Sequence, residues 1–178
     1  NNNMTIAGTD VTKTIAYAGN NMTVKASDVK KSAMIAKGNL AVVDSSVAKS
    51  VAYGKNVTVK NTDVKKSILA ADNNMTITGK SIKTSVAYAG NNMSISGSDV
   101  KDVAAYAGNN LTVKDSTVNR TVANAKNVVV KGTDVDNSIL TATNNMTVSS
   151  SDVNKSILTA NNNMTIAGTD VTKTIAYA

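Results

Sequence analysis

The chain has 178 residues, of which 42% are hydrophobic, and a formal net charge of +7. It contains no Cys, His, Pro, Phe or Trp, which excludes disulfide cross-links, histidine-dependent catalysis and histidine metal sites. No apolar run reaches the length of a membrane-spanning helix, so membrane insertion is not expected.

A short unit recurs along the whole chain, with the approximate form (G/N)-N-N-M-T-(V/I)-x-x-(S/T)-D-V-x-K-S-(I/V)-x-x-A. Ten units begin at residues 1, 19, 37, 54, 72, 90, 108, 125, 143 and 161; eight have 18 residues and two have 17. A unit this short cannot bury an apolar face alone, so the repeats must stack on one another. Residues 1–178 are therefore predicted to form a single elongated array.

Three short strands are predicted within each unit, in chain order. The first is an alternating segment such as Met4-Thr5-Ile6, the second surrounds an apolar column that begins with Val11, and the third runs from Thr14 to Ala18. The pattern leaves no room for a helix and predicts an all-β protein, a parallel β-helix (β-solenoid) with coils about 4.8 Å apart. A left-handed hexapeptide helix also suits an 18-residue coil, but the apolar columns fit six-residue spacing poorly, which favours right-handed winding.

The third position of the unit is always Asn. These residues are Asn3, Asn21, Asn39, Asn56, Asn74, Asn92, Asn110, Asn127, Asn145 and Asn163. We interpret the column as an internal ladder, in which each amide bonds to the copies above and below; asparagine also tolerates a left-handed backbone at such a corner. Eight of the ten also form Asn-x-Ser/Thr, so N-glycosylation is the alternative interpretation.

The third strand is apolar at two successive positions, 15 and 16, in every unit. All five tyrosines share position 17, namely Tyr17, Tyr53, Tyr88, Tyr106 and Tyr177. Side chains of a strand alternate, so positions 15 and 16 cannot both point inward from a regular strand. Two interpretations stay open here: an apolar stripe that binds another copy or a partner, or a corner at which both residues turn inward and Tyr covers the edge.

Charged residues also form columns. Lysine dominates position 13, with Lys13, Lys31, Lys49, Lys66, Lys155 and Lys173, and aspartate dominates position 10. We interpret both columns as a solvated surface that prevents sideways aggregation; binding of acidic glycans or cell-surface polymers is the alternative. Because the lysines are interleaved with aspartates, nucleic acid is not predicted as a partner. No irregular cluster points to catalysis, so no enzyme activity, cofactor or metal site is predicted.

Two internal duplications are visible. Residues 1–71 align with residues 72–142, and Asn1–Ala18 is identical to Asn161–Ala178. Neither end carries a polar capping element, and an uncapped stack exposes strand edges. We therefore expect either a piece of a longer array or end-to-end association of copies.

The unit resembles a known family. Gly19-Asn20-Asn21-Met22-Thr23-Val24 followed by Ser27-Asp28-Val29 is similar to the filamentous haemagglutinin-type repeats of secreted bacterial adhesins. The resemblance implies a right-handed parallel β-helix, secretion to the bacterial surface or beyond, and a shaft-like role in adhesion or toxin delivery.

The leading functional expectation is accordingly a structural extracellular shaft or self-assembling fibre segment. The alternative is an ice-binding solenoid that uses outward Asn at position 3 and Thr at position 5. Lysines at position 7, such as Lys25 and Lys60, would protrude from that face and count against it.

Overall fold

The computed structural model describes residues 2–178, which form thirty β-strands. Each coil contributes one strand to each of three ten-stranded sheets, in which every neighbouring pair is parallel. The predicted β-solenoid is thus confirmed. Among residues 2–178 no helix is long and apolar enough to cross a membrane.

The strands of each sheet are equivalent segments of successive coils. The first sheet contains β1 (Met4–Ala7), β4 (Met22–Lys25), β7 (Asn39–Val43), β10 (Asn56–Lys60), β13 (Met75–Thr78), β16 (Met93–Ser96), β19 (Asn110–Lys114), β22 (Asn127–Lys131), β25 (Asn145–Ser149) and β28 (Asn163–Ala167). The second contains β2 (Asp10–Thr12), β5 (Asp28–Lys30), β8 (Ser46–Ala48), β11 (Asp63–Lys65), β14 (Ser81–Lys83), β17 (Asp99–Lys101), β20 (Thr117–Asn119), β23 (Asp134–Asp136), β26 (Asp152–Asn154) and β29 (Asp170–Thr172). The third contains β3 (Ile15–Ala18), β6 (Ala33–Ala36), β9 (Val51–Gly54), β12 (Ile68–Ala71), β15 (Val86–Ala89), β18 (Ala104–Ala107), β21 (Val122–Ala125), β24 (Ile139–Ala142), β27 (Ile157–Ala160) and β30 (Ile175–Tyr177).

The pairing register corrects two of the unit boundaries. Gly54 pairs with Ala71 and Ala125 pairs with Ala142, so both residues end a coil rather than begin one. The one-residue deletions therefore lie in the next corner, before Asn56 and Asn127. A deletion there leaves every strand in register, whereas one inside a strand would turn its following side chains to the opposite face.

Hydrogen-bond direction shows how the chain winds. The N–H of the outward-facing Ile68 donates to Ser50 O in the preceding coil (2.9 Å), and the N–H of the inward-facing Met75 donates to Asn92 O in the following coil (2.8 Å). Viewed from outside with the preceding coil below, an outward L-residue whose N–H points down belongs to a strand that runs from left to right. The chain rises in that direction, so the solenoid is right-handed.

The core is a set of apolar columns at positions 4, 6, 11, 16 and 18. In the fifth coil these are Met75, Ile77, Ile82, Ala87 and Ala89, all at most 1% exposed. Each inward side chain packs on its equivalents one coil above and below, since the sheets place them in register. The core is consequently continuous along the axis but only one side chain deep from each sheet.

Two of the three corners are built on a left-handed residue. Positions 8 and 13 have positive φ in every coil, with values between 47° and 73°. A non-glycine residue in this region costs about 1–2 kcal/mol relative to the right-handed region. The Asn column does not use the left-handed conformation that asparagine tolerates, because none of its described members has positive φ. The chain instead turns one residue before a Ser or Thr, which is buried in the interior coils; Lys80 and Val103 replace it in one coil each.

These buried hydroxyls form two interior ladders at positions 9 and 14. Ser67 Oγ donates to Lys65 O (2.8 Å) and accepts the Ser50 N–H (3.2 Å), while the Ser67 N–H donates to Ser85 Oγ (3.2 Å). The hydroxyl thus supplies the acceptor that the turning backbone lacks, which matters because an unpaired buried N–H is costly. From the sequence these residues were interpreted only as turn formers. Their recurrence at two fixed positions of the unit was the feature that could have predicted the ladders.

Removing one hydroxyl tests this ladder. Ser67→Ala should lower the free energy of unfolding by about 1–3 kcal/mol, because the buried Ser50 N–H loses its acceptor. Equilibrium denaturation measures the change. Ser149→Ala is the matched control, since Ser149 faces outward on the first sheet and Ala7 stands at the equivalent position. A loss no larger than that of the control would contradict the role of the ladder.

Candidate interaction face

The outer surface of the third sheet carries no charged residue. Its outward side chains come from positions 15 and 17, and we call this surface the apolar face. Position 15 holds Ile15, Ala33, Val51, Ile68, Val86, Ala104, Val122, Ile139, Ile157 and Ile175. Position 17 holds Tyr17, Ile35, Tyr53, Ala70, Tyr88, Tyr106, Asn124, Thr141, Thr159 and Tyr177. The outer surfaces of the other two sheets bear lysines, as at Lys60 and Lys83.

Regular alternation decides between the two interpretations of this strand. In β12, Ile68 is 47% exposed whereas the next residue, Leu69, is fully buried. The same outward–inward pattern holds at Val122 (52%) and Ala123 (3%). The corner interpretation, in which both residues turn inward, was therefore wrong. The side chains at position 15 therefore lie on the surface beside the tyrosines. The two successive apolar positions in the sequence indicated that one of them would be exposed.

The five tyrosines all lie on this face, with exposed fractions from 36% to 70%. Tyr88 and Tyr106 stack with ring centroids 5.3 Å apart and planes 5° from parallel. Tyr53 Oη donates to Asp72 Oδ1 (2.6 Å), and this hydrogen bond to a carboxylate raises the pKa of Tyr53. Tyr53, Tyr88 and Tyr106 are thus held by neighbouring residues while remaining partly exposed.

The Asn column forms an unbroken chain of hydrogen bonds from Asn3 to Asn163. Some links use the side-chain amide, as from Asn92 Nδ2 to Asn74 Oδ1 (3.0 Å), and others the backbone, as from Asn39 N–H to Asn21 Oδ1 (2.8 Å). The ladder is real, but its internal placement was wrong, since every member is exposed or only half-buried. It lies at the corner between the third sheet and the first sheet of the next coil.

Charged residues stand on the first and second sheets and at the corners, and one pair of them is bidentate. Arg120 contacts Asp102 in the preceding coil through two hydrogen bonds of 2.6 and 2.7 Å, which lower the pKa of Asp102. Because the folded-state pKa is lowered, the stabilisation by this exposed pair is present at neutral pH and is lost as the pH falls through that value.

An open cleft of about 420 Å³ lies at the corner between the first and second sheets. Its lining includes Asp10, Asp28, Asp44 and Asp63, and Lys80 Nζ lies 4.0 Å from Asp63. Among residues 2–178 no three acidic, His or Cys side chains are placed to share a metal ion. The absence of enzyme activity stays a prediction.

No protein-family model matches the chain, and no curated protein shows significant similarity to it. The similarity to haemagglutinin-type repeats therefore rests on the quoted motifs. The β-solenoid architecture itself is shown by the strand pairing.

The Asn ladder is expected to stabilise the stack. Asn74→Ala removes links to both neighbours, Asn56 and Asn92, and should lower the free energy of unfolding by about 0.5–1.5 kcal/mol, the net value of a solvent-accessible hydrogen bond. Chemical denaturation gives the measurement. Lys25→Ala is the control, because Ala7 and Ala167 occupy the same outward position. Equal effects of the two substitutions would show that the ladder contributes nothing.

Proposed function

We propose that this chain is a segment of a rigid extracellular shaft whose copies associate laterally through the apolar face. The fold supports the shaft role, since ten coils joined by continuous backbone hydrogen bonding make a rod about 48 Å long. The similarity to secreted adhesin repeats supports a bacterial surface or fibre as its location.

One observation carries the lateral association: the third sheet exposes two uncharged ranks along the entire rod. Taking four residues per strand and ten coils, the face measures roughly 600 Å² on each copy. Two copies packed face to face would cover about 1,200 Å², the lower limit of stable specific interfaces. Exposed apolar patches of this size mark interaction sites in soluble proteins.

The occupant that fits this face best is a second copy. Its outward side chains recur at the same spacing of about 4.8 Å, so the ranks of one copy fit between those of the other. Packing of two sheets buries such ranks in the way that sandwich cores do. An unrelated partner would need an equally long uncharged surface with the same period.

Charge placed on the face should abolish association. We expect the purified chain to form concentration-dependent dimers or larger assemblies in sedimentation velocity experiments. Ile68→Lys combined with Ile139→Lys should sediment as a monomer with an unchanged β-sheet circular dichroism spectrum, because both side chains point outward and lysine would be desolvated at the interface.

The matched control is Thr76→Lys with Thr147→Lys, which adds the same charge to the first sheet and should leave assembly intact. A wild-type chain that stays monomeric at high concentration would overturn the proposal. So would equal disruption by the control pair. Assembly only with an added foreign protein would identify that protein, not a second copy, as the occupant.

The ice-binding alternative has one observation in its favour. A shallow groove of about 460 Å³ runs along the first sheet between the Asn ladder and the hydroxyls of Thr76, Ser94 and Thr112. Ala41 and Val129 interrupt the hydroxyl rank, and lysines stand beside it at Lys60 and Lys114. The protruding lysines would hold this surface away from a flat ice plane, which counts against ice binding.

Thermal hysteresis tests this alternative directly. An ice-binding face would produce a gap between melting and freezing temperatures that disappears in Thr76→Lys, because a protruding ammonium prevents flat contact. Ile68→Lys, on the third sheet, is the control and should retain the gap. Absence of a gap in the wild-type chain would eliminate ice binding.

A further inference from the structure

Four consecutive coils place a lysine at the same corner, between the second and third sheets. Lys13, Lys31, Lys49 and Lys66 are exposed and stand at position 13 of coils one to four. Parallel pairing of the coils puts successive backbones about 4.8 Å apart. We call this row the basic ridge.

The ridge has no internal counter-charge. None of the four ammonium groups lies within 4.0 Å of a described carboxylate, whereas two of the four lysines at position 12, one position earlier, are paired. Lys30 Nζ lies 3.7 Å from Asp28, and Lys83 Nζ lies 3.0 Å from Asp99. Lys30 and Lys83 thus each neutralise one aspartate of position 10, while the four ridge lysines have no such contact.

The backbone conformation at this corner also disfavours lysine. The four residues have φ between 51° and 52°, in the left-handed region that glycine and asparagine tolerate best. The other left-handed corner uses glycine in five coils, including Gly8 and Gly79. Both backbone conformation and mutual repulsion therefore oppose four stacked lysines, and the turn does not explain them.

The duplicated block gives an internal comparison. Residues 72–142 repeat the coil lengths and core of residues 1–71, but the equivalents of the four lysines are Thr84, Asp102, Arg120 and Asn137. Arg120 is neutralised by its paired contact with Asp102. The same corner folds without lysine in coils five to eight, so the four consecutive lysines are not a requirement of the architecture; Lys155 and Lys173 stand at this position in the last two coils.

We propose that the basic ridge binds a linear acidic polysaccharide with one carboxylate on each sugar. A straight row with one ammonium per coil matches a straight polymer whose charges recur at a comparable interval. Lysine acts as a mobile point charge and needs no fixed ligand geometry. Nucleic acid fits less well, because single strands bind by base stacking on aromatic side chains along a basic groove, and positions 10 to 14 around the ridge hold no aromatic residue in any coil.

Binding of fluorescently labelled oligogalacturonate, followed by anisotropy at increasing salt, tests the ridge. The wild-type chain should bind, with an affinity that falls as salt rises. Replacing all four ridge lysines by glycine should weaken binding by at least about tenfold, since four ionic contacts are lost. The same variant should unfold at an unchanged or higher temperature, because glycine suits the left-handed corner.

The matched control changes Lys25, Lys60, Lys114 and Lys131 to serine, which removes equal charge from the first sheet. Serine occupies the same outward column at Ser96 and Ser149, so the fold should tolerate it. This control should bind within about twofold of wild type, because the ridge charges are intact. Equal losses of affinity in both variants would show that the polysaccharide is attracted by net charge alone, and would contradict a binding site at the ridge. The proposal that the ligand is a carboxylated polysaccharide would be overturned if the wild-type chain did not bind. It would also be overturned if dextran sulfate or a single-stranded oligonucleotide bound more tightly.

Discussion

In-register hydrogen bonding between equivalent positions of successive coils is the constraint on which the rest of the structure depends. Each position in the unit pairs with itself one coil away, as Val57 does with Met75 and Ile68 with Val86. A side chain that faces inward in one coil must therefore face inward in all. The two shortened coils obey this rule, because their deletions fall in a corner and the strands on both sides keep their pairing.

Because equivalent positions stack, each side chain lies beside the side chains at the same position in the neighbouring coils. The interaction energy within such a row depends on the chemical type of its side chains. Amides and hydroxyls gain from it, since each donates to one neighbour and accepts from the other, and aromatic rings stack, as Tyr88 does on Tyr106. Rows of like charge are destabilised, because two like charges 4.8 Å apart in water repel by about 1 kcal/mol. Most charged columns are accordingly interrupted or paired, as where Arg120 stands over Asp102.

Two neighbouring surfaces, the apolar face and the basic ridge, do not follow this pattern. The apolar face exposes Ile, Val and Tyr that a solvated rod would replace by polar residues, and the basic ridge along its border stacks unpaired lysines. Lateral packing of copies would cover the first surface, and a polyanion would neutralise the second. The two proposals use different residues, so a shaft segment has room for both contacts at once.

The sequence alone determined the architecture, because an 18-residue period with three short β-patterned segments admits only stacked coils. It also located the Asn and Tyr columns, since a repeat unit makes equivalence between residues visible. Only the tertiary structure decided which way each column faces at the corners. Position 3 turns outward although its invariance indicated an internal ladder, and position 13, not position 3, takes the left-handed conformation. Alternation predicts the faces of a strand, but the face presented after a turn depends on the turn's dihedral angles, which Asn, Ser and Lys do not specify locally. The interior Ser and Thr ladders escaped prediction for the same reason: a hydroxyl beside a turn becomes buried only when the adjacent coil closes over it.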